Sequence, residues 1–196
     1  MTENVDDIRA RLAKKLEPQQ IRLTLMHASL MQLVHELIKQ WVLMDVKAFY
    51  GYDDIIGDGT WLSQRSNERY QREVIALAAP RKDFEASAVW LEQAGAITRT
   101  QRERLDEIYA YRHKITHEAI AFIVDVFRTP DPSMLTDALQ IARELDRFWK
   151  GIESDIGTYD AHGDVDLEEV HSGRALVLQL CVDAYLTAEG AGGTAE

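Results

Sequence analysis

The chain has 196 residues, 46% of them hydrophobic, and a formal net charge of −11 at pH 7. That length is enough to bury one sizeable core, so one domain with appended segments is the default and two full domains would be a tight fit. The acidity excludes a general affinity for nucleic acid, which depends on cationic contacts to phosphates, so any nucleic-acid site must be local.

Apolar residues recur at helical spacing along the chain, and no alternation typical of strands occurs, which predicts an all-α fold. A first helix should cover Val5–Leu16 and end near Pro18, and a second should run from Gln19 to about Tyr50. Residues 1–12 are charged, and charges also interrupt the hydrophobic segment 23–50. We therefore expect no signal peptide, no membrane span and a cytoplasmic location.

Turns alternate with shorter helices in the middle of the chain. The turn-rich segment 51–60 is acidic, but its spacing does not match the EF-hand loop, so no calcium site is predicted there. Helices are expected over 67–77, ending before Pro80, and over Asp83–Ala94, where Gly95 closes the helix.

A long helix is predicted from Thr100 to about Phe127, starting at a capping box formed by Thr100-Gln101-Arg102-Glu103. Two adjoining stripes follow from a rotation of about 100° per residue. The first, spaced as in a packed helix, is Leu105, Ile108, Arg112, Ile115, Ala119, Phe122 and Val126. The second is Tyr109, His113, His117, Ile120, Val124 and Phe127. A helix that is apolar on two sides can pack on its own domain and also meet a second copy, so we expect a homodimer.

The C-terminal third holds most of the acidity, because residues 129–196 contain 4 Lys or Arg against 14 Asp or Glu. Its acidic linker is either solvated or a surface for a basic partner. Asp131-Pro132 should start a helix over Met134–Ile152, and Asp166–Glu169 should cap a last helix ending near Thr187. The only cysteine, Cys181, lies in an apolar run and is expected in the core.

The octapeptide 111–118 concentrates reactive groups on the long helix. Arg112 carries a planar guanidinium suited to phosphoryl oxygens, while His113 and His117 carry imidazoles that gain or lose protons near neutral pH. Arg112-His113-Lys114-Ile115-Thr116-His117 resembles the motif of HEPN domains, which consists of an Arg, a polar residue and then a His near the start of a long helix. The preceding helix and turn, with Trp90–Ile97, are also similar to that family. The resemblance covers about residues 19–152.

The resemblance implies a HEPN-like helical bundle with additional N- and C-terminal helices. Such bundles dimerise through the motif helix, and many are metal-independent endoribonucleases acting as toxins or in phage defence. It therefore implies an enzyme without a cofactor that cuts RNA by 2′-OH attack in a cleft between two protomers. His117 would act as base and acid, Arg112 would bind the phosphate, and His113, Lys114 and Thr116 would support them. An antitoxin or regulatory protein is a further expected partner.

The predicted domain organisation follows from the residues that the HEPN resemblance covers. It comprises an N-terminal helix (1–18), the HEPN-like bundle (19–152), an acidic linker with a C-terminal helix (153–188) and a disordered tail (189–196).

Two features of the sequence limit what the HEPN resemblance implies. Arg22 and His27 are also separated by four residues, so the spacing alone is not specific, although Arg22 is followed by an apolar Leu23. HEPN toxins paired with nucleotidyltransferase antitoxins carry a modifiable Tyr two residues after the motif His, where this chain has Ala119. Neutralisation by modification of that tyrosine is therefore not expected.

Three other interpretations remain open. The acidic charge is compatible with a HEPN-like dimer that lacks nuclease activity and serves as an interaction or nucleotide-sensing module. His113 and His117, spaced i and i+4, can share a metal ion if His27 or His35 and a carboxylate complete the ligand set. Arg112 can also be a structural residue that pairs with an acid in the core.

Overall fold

The computed structural model describes residues 4–51, 68–159, 166, 170 and 172–191. Within these ranges the chain is all-α, as predicted, and has no strand. The helices are α1 (Val5–Lys15), α2 (Pro18–Lys39), α3 (Val46–Gly51), α4 (Glu68–Glu73), α5 (Asp83–Gln93), α6 (Arg99–His117), α7 (Ala119–Val124), α8 (Pro132–Asp155) and α9 (Gly173–Ala191). No described helix is long and apolar enough to cross a membrane.

Some predictions fall on residues that the structure does not describe. The acidic turn segment 52–60 lies outside the described residues, as do 192–196 of the predicted tail. The predicted absence of a calcium site in the first segment and the disorder predicted for the second are therefore untested.

Contacts group the described residues into two compact units, each built from segments distant in sequence. The first unit draws on Met1–His35, Leu105–Gln140 and His171–Glu196, and the second on Glu36–Arg104 and Ile141–Val170. The domain boundaries at 18, 152 and 188 stay predictions.

The predicted helix over 19–50 is continuous but changes its winding. Gln40–Asp45 is π-helical and joins α2 to α3. A π turn leaves carbonyls out of the α-helical pattern, and here the backbone oxygen of Trp41 accepts a hydrogen bond of 3.2 Å from Nε1 of Trp149. The Trp149 indole also stacks on Trp90, with 6.4 Å between the ring centroids. This aromatic packing adjoins the aliphatic core of the second unit, which includes Val46, Leu91 and Leu145.

The end of α5 and the start of α6 are set by local chemistry. Gly95 takes φ +79° and closes α5, as predicted. Thr98 is the residue that caps α6: the backbone N of Gln101 donates to Thr98 Oγ1 at 3.2 Å, and the Thr98 backbone N donates to Gln101 Oε1 at 2.8 Å. The capping box is therefore 98–101, and its predicted position at 100–103 is wrong.

The first stripe of the long helix packs as predicted. Leu105, Ile108, Ile115 and Phe122 are buried. The core of the first unit also holds Met31 and Val34 of α2, Leu135 and Ala138 of α8, and Leu178 and Val182 of α9. The helix itself does not run unbroken to Phe127, because Glu118 leaves the helical conformation at φ −109°, ψ 27°. The prediction of one continuous helix is wrong at this residue.

The last helix begins later than predicted. Asp166 is described and is not helical, whereas α9 starts at Gly173 and the Ser172 hydroxyl accepts a hydrogen bond of 3.1 Å from the Ala175 backbone N. α9 also extends past Thr187 to Ala191. Cys181 is half-buried rather than fully enclosed in the core.

Candidate functional site

Every predicted site residue lies in the last turns of α6, within the first unit. His113, Lys114, Thr116 and His117 are exposed, and Arg112 is half-buried. The imidazole rings of His113 and His117 lie 4.3 Å apart, centroid to centroid, and are tilted by 49°. One turn of helix separates the two residues, which places both rings on the same face. The structure thus places two exposed imidazoles on one face of the helical turn that also carries Arg112.

Arg112 occupies the seam position that the spacing predicted. Its neighbours on that stripe, Ile108 and Ile115, are fully buried. The Nε atom of Arg112 is closed off from solvent, although the side chain as a whole is only half-buried. Long cationic side chains bury their aliphatic stems in this way while keeping part of the charged head accessible. Arg112 is therefore anchored by the core without being enclosed in it.

Lys114 and Thr116, the two remaining predicted site residues, differ in their ability to donate a hydrogen bond to a phosphate. Lys114 is exposed. The Thr116 hydroxyl donates a hydrogen bond of 2.7 Å to the backbone oxygen of Arg112, a bond that Thr commonly makes within helices. Because that proton is already engaged, Thr116 is not oriented to donate to a phosphoryl oxygen in this conformation.

The second stripe is exposed along its whole length. The exposed fraction is 56% for Tyr109, 75% for Ile120, 48% for Val124 and 68% for Phe127. His113 and His117 lie between Tyr109 and Ile120 in sequence, whereas Val124 and Phe127 follow the non-helical residue Glu118 and Phe127 lies beyond the end of α7. Large apolar side chains that remain exposed on both sides of the motif histidines in sequence are typical of an interaction site.

Basic side chains of α1 hold the chain at the end of α7, an arrangement that the sequence did not predict. Lys15 Nζ donates to the backbone oxygen of Asp125 at 2.7 Å and also to that of Arg128. Arg11 donates to the backbone oxygen of Val126 at 2.8 Å, and its guanidinium lies 5.1 Å from the ring centroid of Phe127. Burial lowers the pKa of Lys15, partly opposed by the Asp125 carboxylate. Because α1 buries no residue, these contacts fix its position.

Glu118, which breaks the long helix, is also engaged beyond it. Its carboxylate forms an ion pair with Arg128, and Arg128 Nε lies 3.4 Å from Asp125 Oδ2. This bridge joins the residue after His117 to the chain beyond α7.

A buried histidine lies behind the motif. His27 is 1% exposed, and its Nε2 lies 3.2 Å from the Tyr111 hydroxyl. The oxygen of that hydroxyl also accepts a hydrogen bond of 2.7 Å from the Asp131 backbone N. Burial lowers the pKa of His27, with the Asp131 carboxylate acting in the opposite direction. His27 thus faces the Tyr111 hydroxyl with Nε2 and the Tyr185 hydroxyl with Nδ1, the latter at 3.5 Å.

These contacts separate the two Arg-x4-His matches in the chain. The ring nitrogens of His27 face tyrosine hydroxyls, whereas Arg22 is exposed. The match at 22–27 therefore contributes a structural histidine to the core, and the match at 112–117 presents its histidine to solvent.

The metal interpretation lacks a complete ligand set in the described part of the chain. No group of three or more His, Cys, Asp or Glu side chains there is arranged to hold a metal ion. His35, one of the two histidines considered as a third ligand, is buried and packs against the Tyr109 ring at 5.5 Å between centroids.

No family model, curated protein or solved structure significantly matches this chain. What the candidate site can do chemically is therefore inferred from its own residues and their geometry.

Proposed function

We propose that the protein is a metal-independent endoribonuclease of the HEPN type that acts as a homodimer, as a toxin or phage-defence effector. The observation that carries this proposal is the exposed imidazole pair of His113 and His117, 4.3 Å apart, next to the core-anchored Arg112. A purely structural role for these groups would favour burial with fixed partners, as His27 has.

The residues supply the groups that catalyse cleavage of RNA by attack of its own 2′-OH. Attack of a ribose 2′-OH on the adjacent phosphorus requires a base for the hydroxyl proton, an acid for the 5′-oxygen that leaves, and positive charge on the phosphoryl oxygens. In a dimer, His117 takes the 2′-OH proton and His117 of the partner subunit protonates the 5′-oxygen. Arg112 binds the phosphoryl oxygens through its planar fork, and His113 orients the phosphate. The products are a 2′,3′-cyclic phosphate and a 5′-hydroxyl.

Two further features support a composite site. Burial of Ile120, Val124 and Phe127 against a second copy would cover the exposed stripe and bring two motifs into one cleft. Residues 99–117 carry five Lys or Arg against three Asp or Glu, so the local charge is positive in an acidic protein. RNA would bind at this helix rather than over the whole surface.

Cleavage of total RNA in EDTA tests the proposal. We expect wild-type protein to release fragments that end in 2′,3′-cyclic phosphate, and Arg112→Ala and His117→Ala each to slow cleavage about 100-fold or more, as expected for a lost acid, base or charge-stabilising group. Arg9→Ala is the control, because this exposed Arg of α1 lies outside the basic segment of α6 and pairs with Asp6 at 3.6 Å. Cleavage that survives both motif substitutions would refute the assignment.

The net charge of −11 favours a second candidate, a HEPN-like dimer without nuclease activity that binds a protein or nucleotide. RNA that stays intact at high protein excess, together with dimerisation through the second stripe, would select this alternative.

A further inference from the structure

An apolar cavity of about 380 Å³ lies between α2 and α9, within the first unit. Met26, Leu30 and Leu33 line it from α2, and Cys181 and Tyr185 line it from α9. Pockets that bind small molecules span roughly 300–1,000 Å³ and are mostly apolar with few polar groups. The cavity is therefore large enough for one small apolar ligand and too small for a bulky one.

The cavity has one cationic lining residue. Arg22, one turn before Met26 on α2, is exposed, and its guanidinium lies 3.5 Å from Gln19 Oε1. No carboxylate among the described residues forms an ion pair with it. A guanidinium at the edge of an apolar cavity matches a ligand that has an alkyl chain and an anionic head, and its planar fork suits a carboxylate.

We propose that this cavity binds a free single-chain carboxylate, such as a medium-chain fatty acid, with the alkyl chain between α2 and α9 and the head on Arg22. The cavity volume of about 380 Å³ fits one alkyl chain of medium length. This site is distinct from the exposed stripe of α6, and the proposal does not depend on nuclease activity.

Two residues that line the cavity allow ligand binding to be detected experimentally. Cys181 is the only cysteine of the chain, so its reaction with a thiol reagent reports on this wall alone. Tyr185 lines the cavity while its hydroxyl lies 3.5 Å from Nδ1 of buried His27, so a bound ligand should also shift the NMR signals of that imidazole.

The test titrates saturated carboxylates of six to twelve carbons, below their micelle-forming concentrations, into the full chain by calorimetry. We expect affinity to rise about fourfold per methylene, the factor that corresponds to burying one CH₂, until the cavity is filled. Decanoate should protect Cys181 from a thiol reagent and shift the His27 signals. Ala184 is exposed and lines the cavity, so Ala184→Trp should block binding without disturbing the core.

A charge substitution separates the head from the chain. Arg22→Gln should weaken decanoate binding about tenfold or more, as expected for a lost charge-assisted hydrogen-bond pair, and leave decanol binding unchanged. Arg9→Gln is the matched control, because Arg9 is an exposed Arg of α1 outside the cavity.

Several outcomes would overturn the proposal. Absence of decanoate binding would do so, as would equal affinity of wild type and Arg22→Gln for decanoate. Binding only to anionic phospholipid vesicles would assign the surface to a membrane. Protection of Cys181 that grows with protein concentration in the absence of ligand would assign it to a second copy of the chain.

Discussion

Tyr111 and His27, 84 residues apart in sequence, are joined by a contact of 3.2 Å between the Tyr hydroxyl and Nε2 of the buried imidazole. The same hydroxyl accepts a hydrogen bond from the Asp131 backbone N, just before α8. Tyr111 immediately precedes Arg112. This network therefore ties the motif helix to α2 and to the start of α8, and it fixes the rotation that keeps Arg112 in the seam and both motif histidines at the surface.

Removal of the Tyr111 hydroxyl should destabilise the protein. Tyr111→Phe leaves the Asp131 N–H and His27 Nε2 without this partner, and an unsatisfied buried polar group costs about 1–3 kcal/mol. Tyr109→Phe is the control, since Tyr109 is 56% exposed, and we expect it to change stability by less than about 0.5 kcal/mol. The measurement is the free energy of unfolding in urea. Equal values for the two variants would show that the network contributes nothing to stability.

Stability should fall as the pH is lowered from 7 to 5 because of His27. Burial lowers the pKa of this imidazole in the folded state below its ordinary value of 6.5. Below pH 6.5 the unfolded chain therefore binds a proton that the folded chain excludes, and the free energy of unfolding decreases until the folded-state pKa is reached. Urea titrations at half-unit pH intervals measure this slope, and His27→Gln should remove its share of it. A His27 imidazole that titrates by NMR at or above 6.5 would contradict this prediction.

The periodicity of the sequence predicts which side chains of a helix are buried, because that depends on residues close together in the chain. Positions of the first stripe such as Ile108 and Ile115 are buried, and Tyr109 of the second stripe, on the same helix, is exposed. The spacing of residues along one helix determines whether these side chains are buried or exposed. The contact between Tyr111 and His27 leaves no local signal, because it depends on how distant segments pack.

The missed helix boundaries have specific causes. Thr98 and Thr100 each precede a Gln or Glu by three residues, so two overlapping capping boxes are possible. Gln101 also donates a hydrogen bond of 2.6 Å to Glu144, a contact distant in sequence that supports the box at Thr98. The break at Glu118 is likewise accompanied by a nonlocal contact, its ion pair with Arg128.

Substitution of the two threonines separates these boxes experimentally. Thr98→Ala removes the capping hydroxyl and should cost about 1 kcal/mol of stability. Thr100 lies inside the first turn of α6, where Ala is the better helix former, so Thr100→Ala should be neutral or stabilise slightly. Both side chains are exposed, which makes the pair well matched. The comparison is made by urea denaturation, and a larger loss for Thr100→Ala would place the cap where the sequence predicted it.

Charge placed on the second stripe should abolish dimerisation and RNA cleavage together. Ile120 and Ile156 are both 75% exposed, so substitution of either should leave the folded monomer nearly unchanged in stability. Ile120→Glu would bury an unpaired carboxylate in the proposed interface, which costs several kcal/mol and shifts the protein to monomer. Ile156→Glu lies outside the stripe and should remain dimeric and active. Analytical ultracentrifugation and the EDTA cleavage assay measure the two properties. A monomeric Ile120→Glu variant that cuts RNA at the wild-type rate would refute the composite site, because one protomer would then supply both acid and base.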